Sequence, residues 1–206
     1  MKVVVIDYGM GNLRSVYNTV FRLGYSVKVS SEICDINNAD KIILPGVGSF
    51  DPAMRKLNNS GLRDALDRMV LLEHKPLLAV CIGMHMLGRS SEEGSLSGLG
   101  YIAGVTKKLP NSLMEKQLIL PHMGWNDIVM GRDEDIWEGI SAAEGFYFLH
   151  SYAFCPDATA CIIGTSNYSI NFACAVKSSN IYGFQFHPEK SLSNGLRLLR
   201  NFAEQA

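Results

Sequence analysis

Over its first 80 residues the chain alternates short apolar runs with amphipathic stretches, and this rhythm restricts it to a parallel sheet flanked by helices. Residues 2–7 are Val-rich and bounded by Tyr8-Gly9-Met10-Gly11, the pattern of a strand buried on both faces. Leu13, Val16, Tyr17, Val20 and Phe21 then recur at the spacing of one helix face. Asn12 is placed to cap that helix and Gly24 to end it. Residues 25–30 and 41–44 read as the second and third strands, the third ending in Pro45-Gly46-Val47-Gly48. Leu62, Ala65, Leu66, Met69 and Val70 form a second helical stripe, and residues 77–80 a fourth strand running into Cys81.

After about residue 100 the rhythm changes. Strand-like runs crowd together at 117–120, 161–165, 173–177 and 181–186, and helical spacing returns only at Leu196, Leu199, Phe202 and Ala203. This half is expected to add antiparallel strands at the sheet's edge and to close with a helix. The expected fold is α/β, flavodoxin-like: an open, mostly parallel (mixed) sheet with helices on both faces. No linker, repeat or low-complexity stretch divides it, so residues 1–206 are expected to form a single domain.

Composition narrows the partners. A net charge of −1 leaves nothing to neutralise a phosphate backbone, so no nucleic-acid partner is expected. No apolar run approaches the ~20 residues of a bilayer span, so no membrane is expected either. The run Val3-Val4-Val5-Ile6 is too short for the core of an export signal and Asp7 interrupts it, which points to a cytoplasmic chain. Five cysteines, at 34, 81, 155, 161 and 174, match no disulfide or zinc spacing. They read as four buried small hydrophobes and one reactive thiol.

Three segments place unusual residues at the carboxyl ends of strands, where open parallel sheets bind ligands. In Leu77-Leu78-Ala79-Val80-Cys81-Ile82-Gly83-Met84-His85, a cysteine stands at a strand-to-helix turn. The unpaired N–H groups of a helix start favour its thiolate and can hold an oxyanion. In Phe184-Gln185-Phe186-His187-Pro188-Glu189-Lys190, Pro188 disfavours helix at His187. In an extended chain His187 and Glu189 point the same way, so the carboxylate can orient the imidazole. In Leu44-Pro45-Gly46-Val47-Gly48, two glycines let backbone N–H groups approach a ligand. Taken singly, the three also fit a buried structural cysteine, a solvated turn and an ordinary glycine turn. Together they make a Cys–His–Glu acyl-transfer site, with the N–H groups of Val47 and Ile82 as candidate oxyanion donors.

With these residues the sequence resembles the class I (triad) glutamine amidotransferases. Within that class it is similar to the family of glutaminase subunits of imidazole glycerol phosphate synthase. The resemblance rests on Asp7-Tyr8-Gly9-Met10-Gly11-Asn12-Leu13, Leu44-Pro45-Gly46-Val47-Gly48, Pro121-His122-Met123-Gly124-Trp125-Asn126, Tyr147-Phe148-Leu149-His150-Ser151-Tyr152 and Gln185-Phe186-His187-Pro188-Glu189-Lys190-Ser191. It implies Cys81 as nucleophile, His187 as base and then acid, and Glu189 orienting it. It also implies a glutamyl thioester, and delivery of ammonia to a (β/α)8-barrel cyclase in a heterodimer that makes imidazole glycerol phosphate for histidine biosynthesis. No metal or cofactor is implied. By position, Gly46, His85, Glu93, His150, Ser151 and Tyr152 would contact glutamine, and Met123, Trp125, Asn126 and Tyr147 would face the partner.

Two positions depart from the family. Ala79 stands where glycine is usual, which implies modest strain at the elbow. His85 stands where glutamine is usual, and an imidazole titrating near neutrality would make glutamine affinity weaker or pH-dependent. Three other readings remain at this point: a paralogue supplying ammonia for amidination of a surface-polysaccharide sugar, a silent scaffold for the barrel, and a flavodoxin-like cofactor binder.

Overall fold

The computed structural model describes residues 1–110, 119–131 and 134–205. The first half follows the expected rhythm: β1 (Lys2–Ile6), α1 (Leu13–Arg22), β2 (Ser26–Ser30), α2 (Ile33–Asn37), β3 (Lys41–Gly46), α3 (Phe50–Asn59), α4 (Arg63–Asp67) and β4 (Leu77–Cys81). A π-helical turn, Arg68–Leu72, extends α4, and α5 (Ile82–Met86) leaves β4 without a loop. The second half contributes β5 (Ser90–Ser91), β6 (Gly104–Lys108), β7 (His122–Asn126), β8 (Ile128–Met130), β9 (Phe146–His150) and β10 (Tyr152–Pro156). It then continues with β11 (Ile162–Asn167), β12 (Asn171–Ser178), β13 (Ile181–Phe184) and α6 (Leu192–Gln205).

The main sheet runs in the order β2-β1-β3-β4-β13-β12-β11-β8. Pairing is parallel from β2 to β13 and antiparallel from there to the β8 edge. From β1 the chain moves one way to β2 and then back past β1 to β3. Right-handed crossovers therefore put α1 and α2 on opposite faces, and α6 packs with α1. The expected open, mixed, helix-flanked sheet is what the chain forms. Val3–Ile6 of β1, Ile42–Leu44 of β3 and Leu77–Val80 of β4 have almost no exposed surface, as strands covered on both faces require.

Two small sheets lie beside this core: β10-β6-β5, and the antiparallel ribbon β7-β9. In the ribbon His122 pairs with His150, Gly124 with Phe148 and Asn126 with Phe146. Phe146 stacks on Phe186 at 4.0 Å between centroids, and Phe148 meets the same ring edge-on at 5.7 Å. These fully buried rings, each worth roughly 2–3 kcal/mol in area alone, dock the ribbon against the end of β13.

Several local expectations change. Asn12 occupies the N-cap position of α1, but its side chain caps nothing. Gly24 does end that helix, at φ +87°, and its N–H donates to the Phe21 carbonyl. The helix α3 buries Phe50, Ala53, Met54 and Leu57, a stripe that the glycine-rich turn before it obscured. Of the run 117–120, residues 117 and 118 lie outside the described residues, and Ile119 and Leu120 are not in a strand. All five cysteines are free, yet only Cys81 and Cys174 are buried; Cys34 is exposed and Cys155 and Cys161 are half-buried. No helix among the described residues is long and apolar enough to cross a membrane.

Candidate active site

The carboxyl ends of three adjacent parallel strands meet at one level. Gly46 of β3 pairs with Cys81 of β4, and Phe184 of β13 pairs with Val80. The chain then turns sharply. Cys81 has φ 55° and ψ −111°, a conformation that costs a non-glycine residue about 1–3 kcal/mol and persists only where its surroundings enforce it. The enforcement is visible in two glycines. A Cβ on Gly83 would fall well inside contact with the Leu44 carbonyl oxygen, and one on Gly46 would lie 2.5 Å from the Gly83 nitrogen. Their bare backbones let β3 and α5 interlock and set the Cys81 sulfur at the rim of the sheet. The Tyr8 hydroxyl donates to the Pro45 carbonyl at 2.8 Å and steadies the same strand end. Ala79, where strain was expected, is a regular β4 residue paired with Leu44 and Gly183; its methyl group faces the space left at Gly83.

His187 and Glu189 do meet, with Nδ1 3.0 Å from Oε1 and both side chains 2% exposed. The route differs from the extended pair expected. His187 alone is extended, and Pro188–Lys190 forms a 3-10 turn that swings the carboxylate back. With Nδ1 engaged, Nε2 is left for Cys81. Burial by itself would lower the His187 pKa, but the interactions with Cys81 and Glu189 outweigh it and push it up to about 10. The triad turn is tied to the ribbon twice: the His187 N–H donates to the Tyr147 carbonyl, and the Tyr147 N–H donates to Ser191 Oγ.

A cavity of about 300 Å³ opens over the sulfur. Of the residues expected there, Val47, Cys81, Ile82, His85, Glu93, His150, Ser151, Tyr152 and His187 line it; Gly48, Pro121, Leu149 and Lys190 complete the wall. Gly46 does not line it, because its role is the close approach to Gly83. The Glu93 carboxylate accepts from the Phe50 N–H at 2.9 Å, and burial raises its pKa.

Three other histidines, His85, His122 and His150, are neutral. Burial drives His85 down to about 4, so it does not titrate near neutrality as its exposed counterpart would. Its Nε2 lies 2.7 Å from Gln185 Oε1. His150 has both nitrogens engaged, Nε2 with His122 Nδ1 and Nδ1 with the Tyr152 carbonyl, each at 2.9 Å. Burial lowers His122 to about 4 and His150 to about 3.

This has a consequence for stability in acid. Unfolded histidines bind protons near pH 6.5, the three folded ones only near 3 to 4. Their contribution is whole above pH 6.5 and drains away between about 6.5 and 4, by up to about 1.4 kcal/mol per pH unit for each histidine. His187 has the opposite sign: raised, it contributes fully below 6.5 and loses its contribution toward 10. Glu93, also raised, opposes the trend over its own range, one group against three. The lowered carboxylates of Asp35 and Asp51 act only below about pH 4. The urea midpoint is therefore expected to fall as pH drops from 6.5 to 4, with a shallower slope in His122→Asn. A midpoint that stays level across this range overturns the buried neutral histidines.

On the ribbon's outer side, Met123, Trp125 and Leu149 are exposed, at 65%, 48% and 36%, and Trp125 meets Tyr147 edge-on. Asn126, expected to face a partner, is half-buried beside Trp125, and its side chain is held by hydrogen bonds within the chain. Its amide nitrogen reaches the Asn167 carbonyl and His122, and its oxygen accepts from the Asp127 N–H. Sequence reasoning missed the ties made by His122 and Gln185, since the pairings span 28 and 100 residues and no local spacing signals them.

A cysteine at a strained elbow, a buried His–Glu pair and a glycine-bordered cavity on this sheet define a class-I glutamine amidotransferase, and the profile of that family matches residues 4–206. Subunit HisH of imidazole glycerol phosphate synthase from Bdellovibrio bacteriovorus is 42% identical over 200 residues, covering 97% of this chain and 98% of that one. The protein called HisH 2 in Pseudomonas aeruginosa is 44% identical over 202 residues, covering 98% of each. The chain belongs to this family, that of the HisH subunits. More distant solved structures share the fold: a glutamine amidotransferase with TM-score 0.71 at 19% identity, and PurLQS from Thermotoga maritima with TM-score 0.70 at 15%. Each covers 98% of this chain and is itself 97% covered.

Proposed function

We propose that this chain, as one domain, hydrolyses glutamine and passes the ammonia to a (β/α)8-barrel cyclase that makes imidazole glycerol phosphate for histidine biosynthesis. The observation that carries this reading is the assembly of Cys81, His187 and Glu189 beneath one cavity, in a chain whose full-length relatives are HisH subunits. The Cys81 sulfur attacks the side-chain carbonyl carbon of glutamine. The oxyanion is received by the backbone N–H groups of Val47 and Ile82. The C–N bond breaks as His187 gives its proton to the departing ammonia, leaving a thioester on Cys81. His187 then takes a proton from water, which releases glutamate and restores the thiol. Glu189 keeps the imidazole aligned throughout. Glu93 offers a carboxylate at the cavity wall for the substrate's ammonium group. These steps ask for no metal or cofactor, and a cytoplasmic setting suits both substrates.

The exposed face of the ribbon is the surface proposed for the cyclase. Trp125→Ala is expected to weaken binding of the purified barrel subunit about 30-fold, the roughly 2 kcal/mol of a central aromatic anchor. Titration calorimetry checks this, and an unchanged affinity removes Trp125 from the interface.

The function itself is tested by mixing the chain with a histidine-pathway barrel cyclase and its ribonucleotide substrate, then following glutamate and imidazole glycerol phosphate together. Coupled formation of both supports the reading. Glutamate release with no imidazole product, and no rescue of a histidine auxotroph, would assign the ammonia to another acceptor, such as the amidination of a surface-polysaccharide sugar.

A further inference from the structure

Gln185 has no task in the reaction above, yet its side chain is wholly buried beside the nucleophile. Its amide nitrogen lies 3.9 Å from Cys81 Sγ, and its amide oxygen 2.7 Å from His85 Nε2. The main chain fixes it there, with the Gln185 N–H donating to the Cys174 carbonyl at 2.9 Å. We propose that Gln185 is a positioning residue that presents an amide N–H to the Cys81 sulfur, and that His85 holds the amide in that orientation. The inference rests on the reading of Cys81 as the nucleophile.

A primary amide has a donor end and an acceptor end of nearly equal shape, so its neighbours decide which way it faces. When His85 carries its proton on Nε2, it donates to Gln185 Oε1 and the NH2 group must face the sulfur. With the proton on Nδ1, Nε2 becomes an acceptor. The amide then turns over and sets oxygen lone pairs against the sulfur, where they oppose a thiolate. Among the described residues His85 Nδ1 is buried and makes no hydrogen bond, so tautomer and amide are set together at Nε2, and the arrangement a thiolate favours is the one that gives the sulfur an N–H. Because His85 stays neutral, it has one proton to place. An N–H donor on sulfur favours the thiolate and lowers the pH at which it forms. A glutamine side chain also carries an N–H donor, so glutamine at position 85 would offer the same donation to Gln185.

Several titratable groups surround the sulfur and enter any pH profile measured there. They are His187 with Glu189 behind it, His85 from α5, Tyr8 after β1, His150 from β9, and Glu93 and Lys190 at the cavity wall. The test uses the full chain without partner or glutamine. The rate of alkylation of Cys81 by iodoacetamide is followed against pH, with the Cys81 peptide resolved from the other four cysteines by mass spectrometry. Gln185→Leu and His85→Leu are expected to move the midpoint of the profile upward by about one unit, a roughly tenfold slower reaction at pH values below it. His85→Gln is expected to keep the parental profile, and His187→Asn to shift it upward.

If both leucine variants keep the parental profile while His187→Asn shifts it, the inference falls and the triad reading stands. If His187→Asn leaves the profile unchanged as well, both fall. Should Gln185→Leu fail to fold, the two His85 variants decide. A shift in His85→Leu that is absent in His85→Gln supports the relay, and equal profiles overturn it.

Discussion

Cys81→Ala is expected to remove glutamine hydrolysis almost entirely, by about 10⁴-fold or more, the loss typical of deleting the nucleophile of an acyl-transfer triad. The thioester cannot form without the sulfur, and nothing else over the cavity replaces it. Leu149 offers a carbonyl oxygen 3.8 Å from Sγ, and His85, His150 and Gln185 are tied up in hydrogen bonds. The fold should be nearly indifferent to the change. Alanine at φ 55° bears the same backbone strain as cysteine, and only one sulfur atom leaves a buried site. His187→Ala should cost almost as much, and the double variant little more than either, because the residues act as a unit. The measurement is glutamate release in the presence of cyclase and ribonucleotide. The discriminating control replaces glutamine with excess ammonium salt at alkaline pH. The variant should then support imidazole glycerol phosphate formation as well as the parent does, since free ammonia bypasses this subunit's chemistry. Residual glutaminase activity above about one per cent would remove Cys81 from the role of nucleophile.

The parts of this architecture legible in the sequence are those governed by local pattern. Val3–Ile6 and Leu77–Val80 read as strands because a strand covered on both faces has no polar positions. The elbow read as a site because a cysteine between strand and helix is chemically unusual. What stayed hidden depends on register between distant segments. His122 and His150 look like two separate histidines until β7 and β9 pair and place them opposite one another. His85 looks like a titrating group because its sequence neighbours say nothing of its complete burial. The hydrogen bond from Asn126 to the Asn167 carbonyl spans 41 residues, and nothing in its local motif announces it. Glu189 reached His187 by a 3-10 turn rather than by strand alternation, a correct pairing reached by a different geometry. A glycine-rich strand end suggests a place where backbone approaches a ligand. At Gly46 the close neighbour is the chain itself.

That self-contact sets up the sharpest structural prediction. Gly83 lies within helix α5 with ordinary helical backbone, so helix propensity alone makes Gly83→Ala stabilising by about 1 kcal/mol. The opposite is expected. An alanine Cβ would collide with the Leu44 carbonyl oxygen, in the middle of a fully buried strand bonded on both sides, and no rotamer change relieves a clash with backbone. Helix and strand must move apart. Cys81 leads directly into that helix, so the sulfur moves with it, away from His187. A loss of about 3 kcal/mol or more in stability is expected, the range of severe overpacking, with glutaminase activity falling at least about 10²-fold from misplacement of the nucleophile. Urea denaturation gives the first and glutamate release with the cyclase the second. A variant as stable as the parent would show that β3 and α5 are not in the close contact described. Gly46→Ala strains the same contact from the other side, with its Cβ 2.5 Å from the Gly83 nitrogen. Each substitution already forces the two elements apart, so the double variant should lose clearly less than the sum of the single losses.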